Sequence, residues 1–397
     1  MRYALDSRRS QSRRTWTVPA IVTLMSVALA ACSPDDATAP PRAARAALTD
    51  ALVDSAIVSP LPTEIGVDFL SNRFAYVWAN SPTEVSYTPS GSYQYNANGG
   101  TVQIFRPSVG SYDVIFNSAG GWSGSTYGFA LTAYGSSNLR CAIPSHNISG
   151  TQYIVRVRCF DNVTRVHADS RFSLLLVGSG SLQPRSAFAF GNQPSAPSYT
   201  PNSLASFTSG TGPMVISHDS LDGDYKVDLG VGNPAGSTFL VAEQFFFPGY
   251  LCKVREWKAA SVGVRCFDAD GLQHDTWYWA LQVDGGRPGR RLGYAWANEP
   301  STASYTPNLH YSYNSASGAI TATRSAVGRY AIEFEGLQKL TGHSENVQVT
   351  PWGTGYATCK VVNWGNSATG AAFRANVECR NITGAFKDAR FNVLVIE

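Results

Sequence analysis

The sequence predicts an all-β protein: three tandem β-sandwich or jelly-roll-like modules of roughly 100 residues each, following a signal peptide and a disordered tether. Three observations carry this. Charged residues make up only 15% of the 397-residue chain, against 36 Gly, 21 Pro and 12% aromatics, a mix that favours short strands and tight turns over amphipathic helices. One set of landmarks returns three times in the same order, and six of the seven cysteines fall two to a copy.

The repeat begins with Phe74-Ala75-Tyr76-Val77-Trp78-Ala79-Asn80, then Pro82 and Tyr87-Thr88-Pro89. It returns as Phe188-Ala189-Phe190-Gly191-Asn192 with Pro194 and Tyr199-Thr200-Pro201, and again as Tyr294-Ala295-Trp296-Ala297-Asn298 with Pro300 and Tyr305-Thr306-Pro307. The offsets from Pro82 are 112 and then 106. Gly110-Ser111-Tyr112, Gly223-Asp224-Tyr225 and Gly328-Arg329-Tyr330 follow at 113 and 105, and the copies close on Asp169 with Phe172, Asp275 with Tyr278, and Asp388 with Phe391. Landmarks that keep their order while drifting by a few residues mean duplication. The period exceeds that of solenoids, so each copy is expected to own a core.

In the third copy, strands are expected at 292–298, 310–314, 320–324, 329–335, 346–350, 358–364, 373–379 and 390–396, most alternating apolar and polar residues between turn clusters. Eight short strands suit a two-sheet sandwich better than a four-stranded propeller blade. The expected division is 1–31 signal peptide, 32–63 lipidated flexible tether, and modules at 64–178, 179–285 and 286–397.

The N-terminus reads as an export address. Residues 1–17 are arginine-rich, 18–31 are almost wholly apolar, and the run stops at Cys32 before Ser33-Pro34-Asp35-Asp36. It is short for a membrane span, which takes about 20 residues. Five arginines (Arg2, Arg8, Arg9, Arg13 and Arg14) and one acid, Asp6, lie in this leader. Removing them from the 31 basic and 28 acidic residues leaves 26 against 27, so the mature charge is −1 rather than +3. A near-neutral chain without a basic stretch argues against nucleic acid and anionic lipid as partners.

Leu29-Ala30-Ala31-Cys32 resembles the lipobox of bacterial lipoproteins, which implies cleavage before Cys32 and acylation of its thiol and new amine. Small residues before the cysteine let the peptidase approach. Several acyl chains then hold the protein at about 0.8 kcal/mol per buried methylene. Ser33 is not the aspartate that resembles an inner-membrane retention signal, so the resemblance implies the outer membrane. Ser12-Arg13-Arg14-Thr15-Trp16 also resembles a twin-arginine export motif. The repeats are similar to those of uncharacterised secreted bacterial β-rich proteins, a likeness that spans all three copies and implies no activity. The stretch from Gly-x-Tyr to the closing Asp-x-x-Phe resembles jelly rolls of the complement and tumour-necrosis-factor type, which bears on fold alone.

Seven cysteines leave an odd one in an exported chain, and Cys32 as the lipid site accounts for it. Two cysteines per copy make Cys141 with Cys159, Cys252 with Cys266, and Cys359 with Cys379 the simplest of 15 connectivities. The absence of Cys-x-x-Cys spacing disfavours structural zinc, and no metal or cofactor is expected.

The chain has no Gly-x-Ser-x-Gly elbow, phosphate loop or His-Glu-x-x-His, and no catalytic residue is assigned. His146 stands where the other copies have Trp257 and Trp364, so it reads as a packing residue. Asp268-Ala269-Asp270-Gly271 admits calcium, but the equivalents Asp161-Asn162 and Arg380-Asn381 favour a turn. Asp169, Asp275 and Asp388 read as strand-entry hydrogen-bond acceptors, one per copy, without the partner that glycoside hydrolysis needs. Arg106 and Arg324 match, while His218 takes that place in the second copy.

Aromatics are the best ligand candidates, since Tyr and Trp anchor binding surfaces. Trp78, Phe190 and Trp296 are equivalent and are expected in the core; Trp122, Phe245, Phe246, Phe247, Trp277 and Trp279 are copy-specific and freer to be exposed. The expectation is a non-catalytic cell-envelope binding or adhesion array, held to the membrane by its lipid and taking a glycan or protein ligand. A structural spacer and a carbohydrate-active enzyme are the alternatives.

Overall fold

A computed structural model of the chain describes residues 73–120, 126–179, 186–219, 221–232, 236–244, 249–258, 260–285 and 291–397. Cys32, the leader and the tether therefore lie outside the described residues, as do Trp122, Phe245, Phe246 and Phe247. The regular structure of the described residues is nearly all β-strand, and no helix among them is long and apolar enough to cross a membrane.

The strands form three series of nine. The first is β1 (Phe74–Ala79), β2 (Ser86–Tyr87), β3 (Gln94–Asn96), β4 (Val102–Ser108), β5 (Ser111–Phe116), β6 (Tyr127–Tyr134), β7 (Leu139–Ser149), β8 (Gln152–Asp161) and β9 (Arg171–Gly178). The second is β10 (Ser186–Gly191), β11 (Ser198–Tyr199), β12 (Ser206–Thr208), β13 (Val215–His218), β14 (Asp224–Asp228), β15 (Ser237–Glu243), β16 (Leu251–Trp257), β17 (Val262–Phe267) and β18 (Tyr278–Asp284). The third is β19 (Leu292–Ala297), β20 (Ser304–Tyr305), β21 (Tyr313–Asn314), β22 (Ile320–Ala326), β23 (Arg329–Glu335), β24 (Asn346–Trp352), β25 (Thr358–Asn366), β26 (Ala372–Arg380) and β27 (Arg390–Ile396). All eight strand signals read in the third copy fall on strands, the second of them partly on a 3-10 turn at Leu309–Tyr311; the two-residue β20 is additional.

In the first copy an outer sheet runs β2-β4-β5-β8-β7 and an inner sheet β3-β1-β9-β6, and the other copies repeat this order. The outer strands keep the period of two: β4 buries Val102 and Ile104 and exposes Gln103 and Phe105. Inner strands are buried on both faces. In β9, Phe172, Leu174 and Leu176 fill the sandwich, and Leu175 and Val177 face the neighbouring copies; Leu174, Leu175 and Leu176 are all at 0% exposure. Full burial of each leucine contributes about 1.5–3 kcal/mol.

That second buried face joins the copies. Each copy has a sandwich core, and the outward faces of the three inner sheets add a shared one, continuous with that of the first copy, in which Tyr76 and Leu175 cluster with Phe188, Leu240 and Trp279 of the second copy and Tyr294 and Leu394 of the third. The described residues of the three copies belong to one compact unit.

The junctions are cyclic, since β6, β15 and β24, the equivalent edge strands, all contact one another. β25 pairs in parallel with β6 at Val361 and Tyr134, and β16 with β24 at Val254 and Trp352, extending two outer sheets into nine-stranded sheets. Gly135 N donates to Val361 O at 2.9 Å and Gly353 N to Val254 O at 2.8 Å, so the two junctions are built alike.

Side chains repeat the pattern. Thr132 Oγ1 accepts from Val349 N at 2.9 Å, and Thr350 Oγ1 from Val241 N at 3.1 Å. The equivalent residue at the junction of the first and second copies is Ala242, which has no hydroxyl. Buried amides of the third copy cap carbonyls of both neighbours: Asn346 Nδ2 and Gln348 Nε2 reach Leu174 O and Ser173 O, and Asn392 Nδ2 reaches Phe239 O at 2.7 Å. Hydrogen-bonded polar groups are what a buried sheet face tolerates.

Candidate functional site

Three places bring together the residues singled out by sequence. The first lies where the closing aspartate meets the Gly-x-Tyr turn. Asp169 Oδ1 accepts from Gly110 N at 2.8 Å, Tyr112 Oη at 3.1 Å and Arg106 Nε at 2.8 Å, while Oδ2 accepts from Arg106 Nη2 at 2.6 Å. Tyr112 Oη in turn accepts from Ser170 N at 3.1 Å. Asp388 makes the same set with Arg324, Gly328 and Tyr330.

The turn needs glycine. Gly110 has φ +65°, and a Cβ there would lie 2.5 Å from Cys159 O. Burial raises the Asp169 carboxyl's pKa, but donors from Arg106, Gly110 and Tyr112 outweigh it and hold the group below its usual range. For Asp388 the Arg324 bond is the largest cause, in the same direction. These aspartates are strand-entry acceptors, as the sequence reading expects.

The second copy departs from this. His218 Nε2 shares a hydrogen bond with Asp275 Oδ1 at 2.8 Å, and Gly223 N and Tyr225 Oη donate to the same oxygen. Burial raises the Asp275 pKa, and the Gly223 and His218 bonds more than reverse it.

The second place is a cavity of about 40 Å³ bordered by all three copies, with Cys141, Cys252, Cys359, Arg140, Glu243 and Lys360 in its wall. The disulfides join the expected pairs, Cys141–Cys159, Cys252–Cys266 and Cys359–Cys379, each between adjacent antiparallel strands. Beside each first cysteine a cation reaches into the next copy: Arg140 to Tyr250 O, Lys253 to Gly355 O at 2.6 Å, and Lys360 to Ser137 O. The direction is cyclic. Burial lowers Lys253 and Lys360 to about 7 and raises Glu243 to about 7, the last against the opposing pull of Arg140. These ionisable groups are fastened to backbone, so they serve closure of the ring.

Aromatic clusters at the junctions form the third place. Trp78 packs against Tyr93, Tyr134 and Trp364 with ring centroids 4.5, 5.0 and 5.4 Å away. Trp296 likewise meets Tyr311 and Trp352, and Trp257 stacks on Tyr311 at 4.9 Å. At the remaining junction Phe190 stacks on Trp279 at 4.8 Å, with Trp277 at 6.1 Å and His146 against Trp279 at 5.5 Å.

Trp78, Phe190 and Trp296 are thus half-buried junction residues rather than sandwich core, because they sit on the outward face of the inner sheet. His146 packs as expected, its Nδ1 2.8 Å from Tyr153 Oη and its pKa lowered by burial to about 4. Of the copy-specific rings, Trp279 is fully buried and Trp277 is exposed at 41%.

The Asp268 motif is a turn. Its Oδ1 accepts from Asp270 N and Leu272 N, both at 2.9 Å, and the equivalents Asp161 and Asn381 cap their own turns in the same way. Comparisons with protein-family models, with curated proteins and with solved structures give no significant match.

Proposed function

We propose that the chain is a lipid-anchored protein of the bacterial cell envelope, carried on Cys32 at the outer membrane, and that its ring-shaped head binds a glycan or protein ligand without catalysing a reaction. The observation that carries this is the recurrence of half-buried aromatic side chains at all three junctions: Trp78 with Trp364, Trp296 with Trp257, and Phe190 with the exposed Trp277. Partly exposed rings offer apolar area with little side-chain entropy to lose, the property that makes them anchors for sugars and peptides. Three related platforms on one head provide multivalency.

The test is retention on glycan and peptide arrays by the purified protein, with Trp364→Ala and Trp257→Ala as variants. Binding that falls in each variant while thermal unfolding stays two-state supports the proposal. The spacer reading is favoured by the scaffold role of the recurring Asp, Gly, Tyr and Cys residues, and it predicts no retention at all. Lipidation is tested separately by palmitate labelling of Cys32→Ala in the precursor, where persistent label rejects the anchor.

A further inference from the structure

The second copy alters the aspartate site at two positions together. Where the first and third copies have Arg106 and Arg324, it has His218; where they have Val109 and Val327 before the turn glycine, it has Asp222. In the other copies the arginine occupies the second carboxylate oxygen, Asp169 Oδ2 or Asp388 Oδ2. In the second copy the imidazole reaches only Oδ1, and among the described residues no guanidinium fills Asp275 Oδ2. An Arg–Asp pair of zero charge has become a His–Asp–Asp group that, with neutral imidazole, carries −2.

We propose that His218, Asp222 and Asp275 form a site for a divalent transition cation such as Zn²⁺. One ligand atom from each residue lies within 4.8 Å of the others. Four-coordinate zinc with bonds of about 2.0–2.2 Å wants its ligands roughly 3.4 Å apart, so the exposed Asp222 must turn inward and the other two groups scarcely move. The neutral imidazole keeps its one ring proton on Nδ1 when the site is loaded, so that Nε2 binds the ion in place of its hydrogen bond to Asp275 Oδ1, and the carboxylate ligates through Oδ2.

Asp275 Oδ1 stays held by Gly223 N at 2.7 Å and Tyr225 Oη at 3.2 Å, the outer-shell support that orients a ligating carboxylate. The nearby acids do not compete. Asp219 and Asp224 are engaged by Arg255, and Asp224 also by Arg265. Water completes the coordination on the exposed side, and charge neutralisation supplies much of the affinity.

Isothermal titration of the purified full chain with Zn²⁺ alone tests the site. The expected result is one saturable equivalent per chain, weakened by more than about a hundredfold in His218→Arg/Asp222→Val, since even outer-shell changes cost 10–100-fold. That variant restores the residues of the other two copies, and its thermal unfolding without metal should be no lower than that of the parent. Lack of a saturable equivalent in the parent, or unchanged affinity in the double variant, overturns the proposal.

Discussion

The Tyr76 hydroxyl donates to the carbonyl of Ser344 at 2.9 Å, joining the first strand of the first copy to the third copy across 268 residues. Tyr294 makes the equivalent bond to Gly236, from the third copy to the second. At the remaining junction the same position is Phe188, fully buried and without a hydroxyl, where the ring presses on Gly128. At this position two junctions are therefore hydrogen-bonded and one is apolar.

This asymmetry predicts that Tyr76→Phe destabilises the head by about 1–3 kcal/mol, because it leaves the buried Ser344 carbonyl with one donor fewer. Gly128→Ala should also destabilise, since its Cβ would lie 2.5 Å from Phe188 Cγ and force the ring to shift. Urea unfolding measures both. A Tyr76→Phe midpoint equal to wild type would mean that water replaces the hydroxyl.

The disulfides each close a short loop, with sequence separations of 18, 14 and 20. Replacing one pair, Cys252→Ala with Cys266→Ala, should cost about 3 kcal/mol through the entropy of the unfolded chain. Because Cys252 also borders the shared cavity, the loss should appear in one cooperative transition rather than as melting of the second copy alone. Differential scanning calorimetry separates these outcomes, and a resolved low-temperature peak would show that the copies unfold independently.

Much of this fold was legible beforehand, and the part that was not has a physical cause. Eight of the nine strands of each series follow from local alternation between turn clusters, and the cysteine pairing follows from their count. Ring closure depends on which inner-sheet residues meet across copies, and alternation reveals only one buried face. The sign of a second was present in continuous runs such as Ser173-Leu174-Leu175-Leu176-Val177, a pattern of strands covered on both sides. Gln348, Asn346 and Asn392 look like surface residues in sequence, yet all are buried and bonded to neighbouring copies. Trp78 and Trp296 were recognisable as equivalent, but their place at a junction needed the third dimension. The His218 and Asp222 changes were visible in sequence; that they face one carboxylate was not.

The buried lysines make stability depend on pH in a defined direction. Lys253 and Lys360 fall from 10.5 to about 7 on folding, so between these values the unfolded chain binds protons that the folded head has shed. Stability should therefore rise from pH 7 towards about pH 9, by up to ~1.4 kcal/mol per pH unit for each lysine. Below pH 7 the effects oppose one another. Raised Glu243 favours the folded state at low pH and loses that contribution as pH climbs through 7, while depressed His146 does the reverse between its ordinary value and about 4. The alkaline limb is the cleaner test. In Lys253→Met with Lys360→Met the rise should vanish, and a rise of unchanged slope would show that these amines stay charged in the folded head.

The turn glycines separate backbone conformation from crowding. Gly99 and Gly110 both adopt positive φ, +72° and +65°, but a Cβ on Gly99 meets nothing within 4 Å, whereas on Gly110 it would strike Cys159 O at 2.5 Å and Ala168 N at 2.7 Å. Gly99→Ala should therefore cost about 1–2 kcal/mol, the ordinary penalty of a left-handed conformation. Gly110→Ala must also push apart the turn and the strand entry that Asp169 clamps, breaking the Gly110 N bond to its carboxylate. Its loss should exceed that of Gly99→Ala by several kcal/mol or prevent folding. Gly328→Ala, with φ +65° and Cys379 O at 2.5 Å, should behave like Gly110→Ala because the third copy repeats the clamp. Denaturation midpoints of the three variants decide the matter, and equal losses for Gly99→Ala and Gly110→Ala would show that the clamp yields without cost.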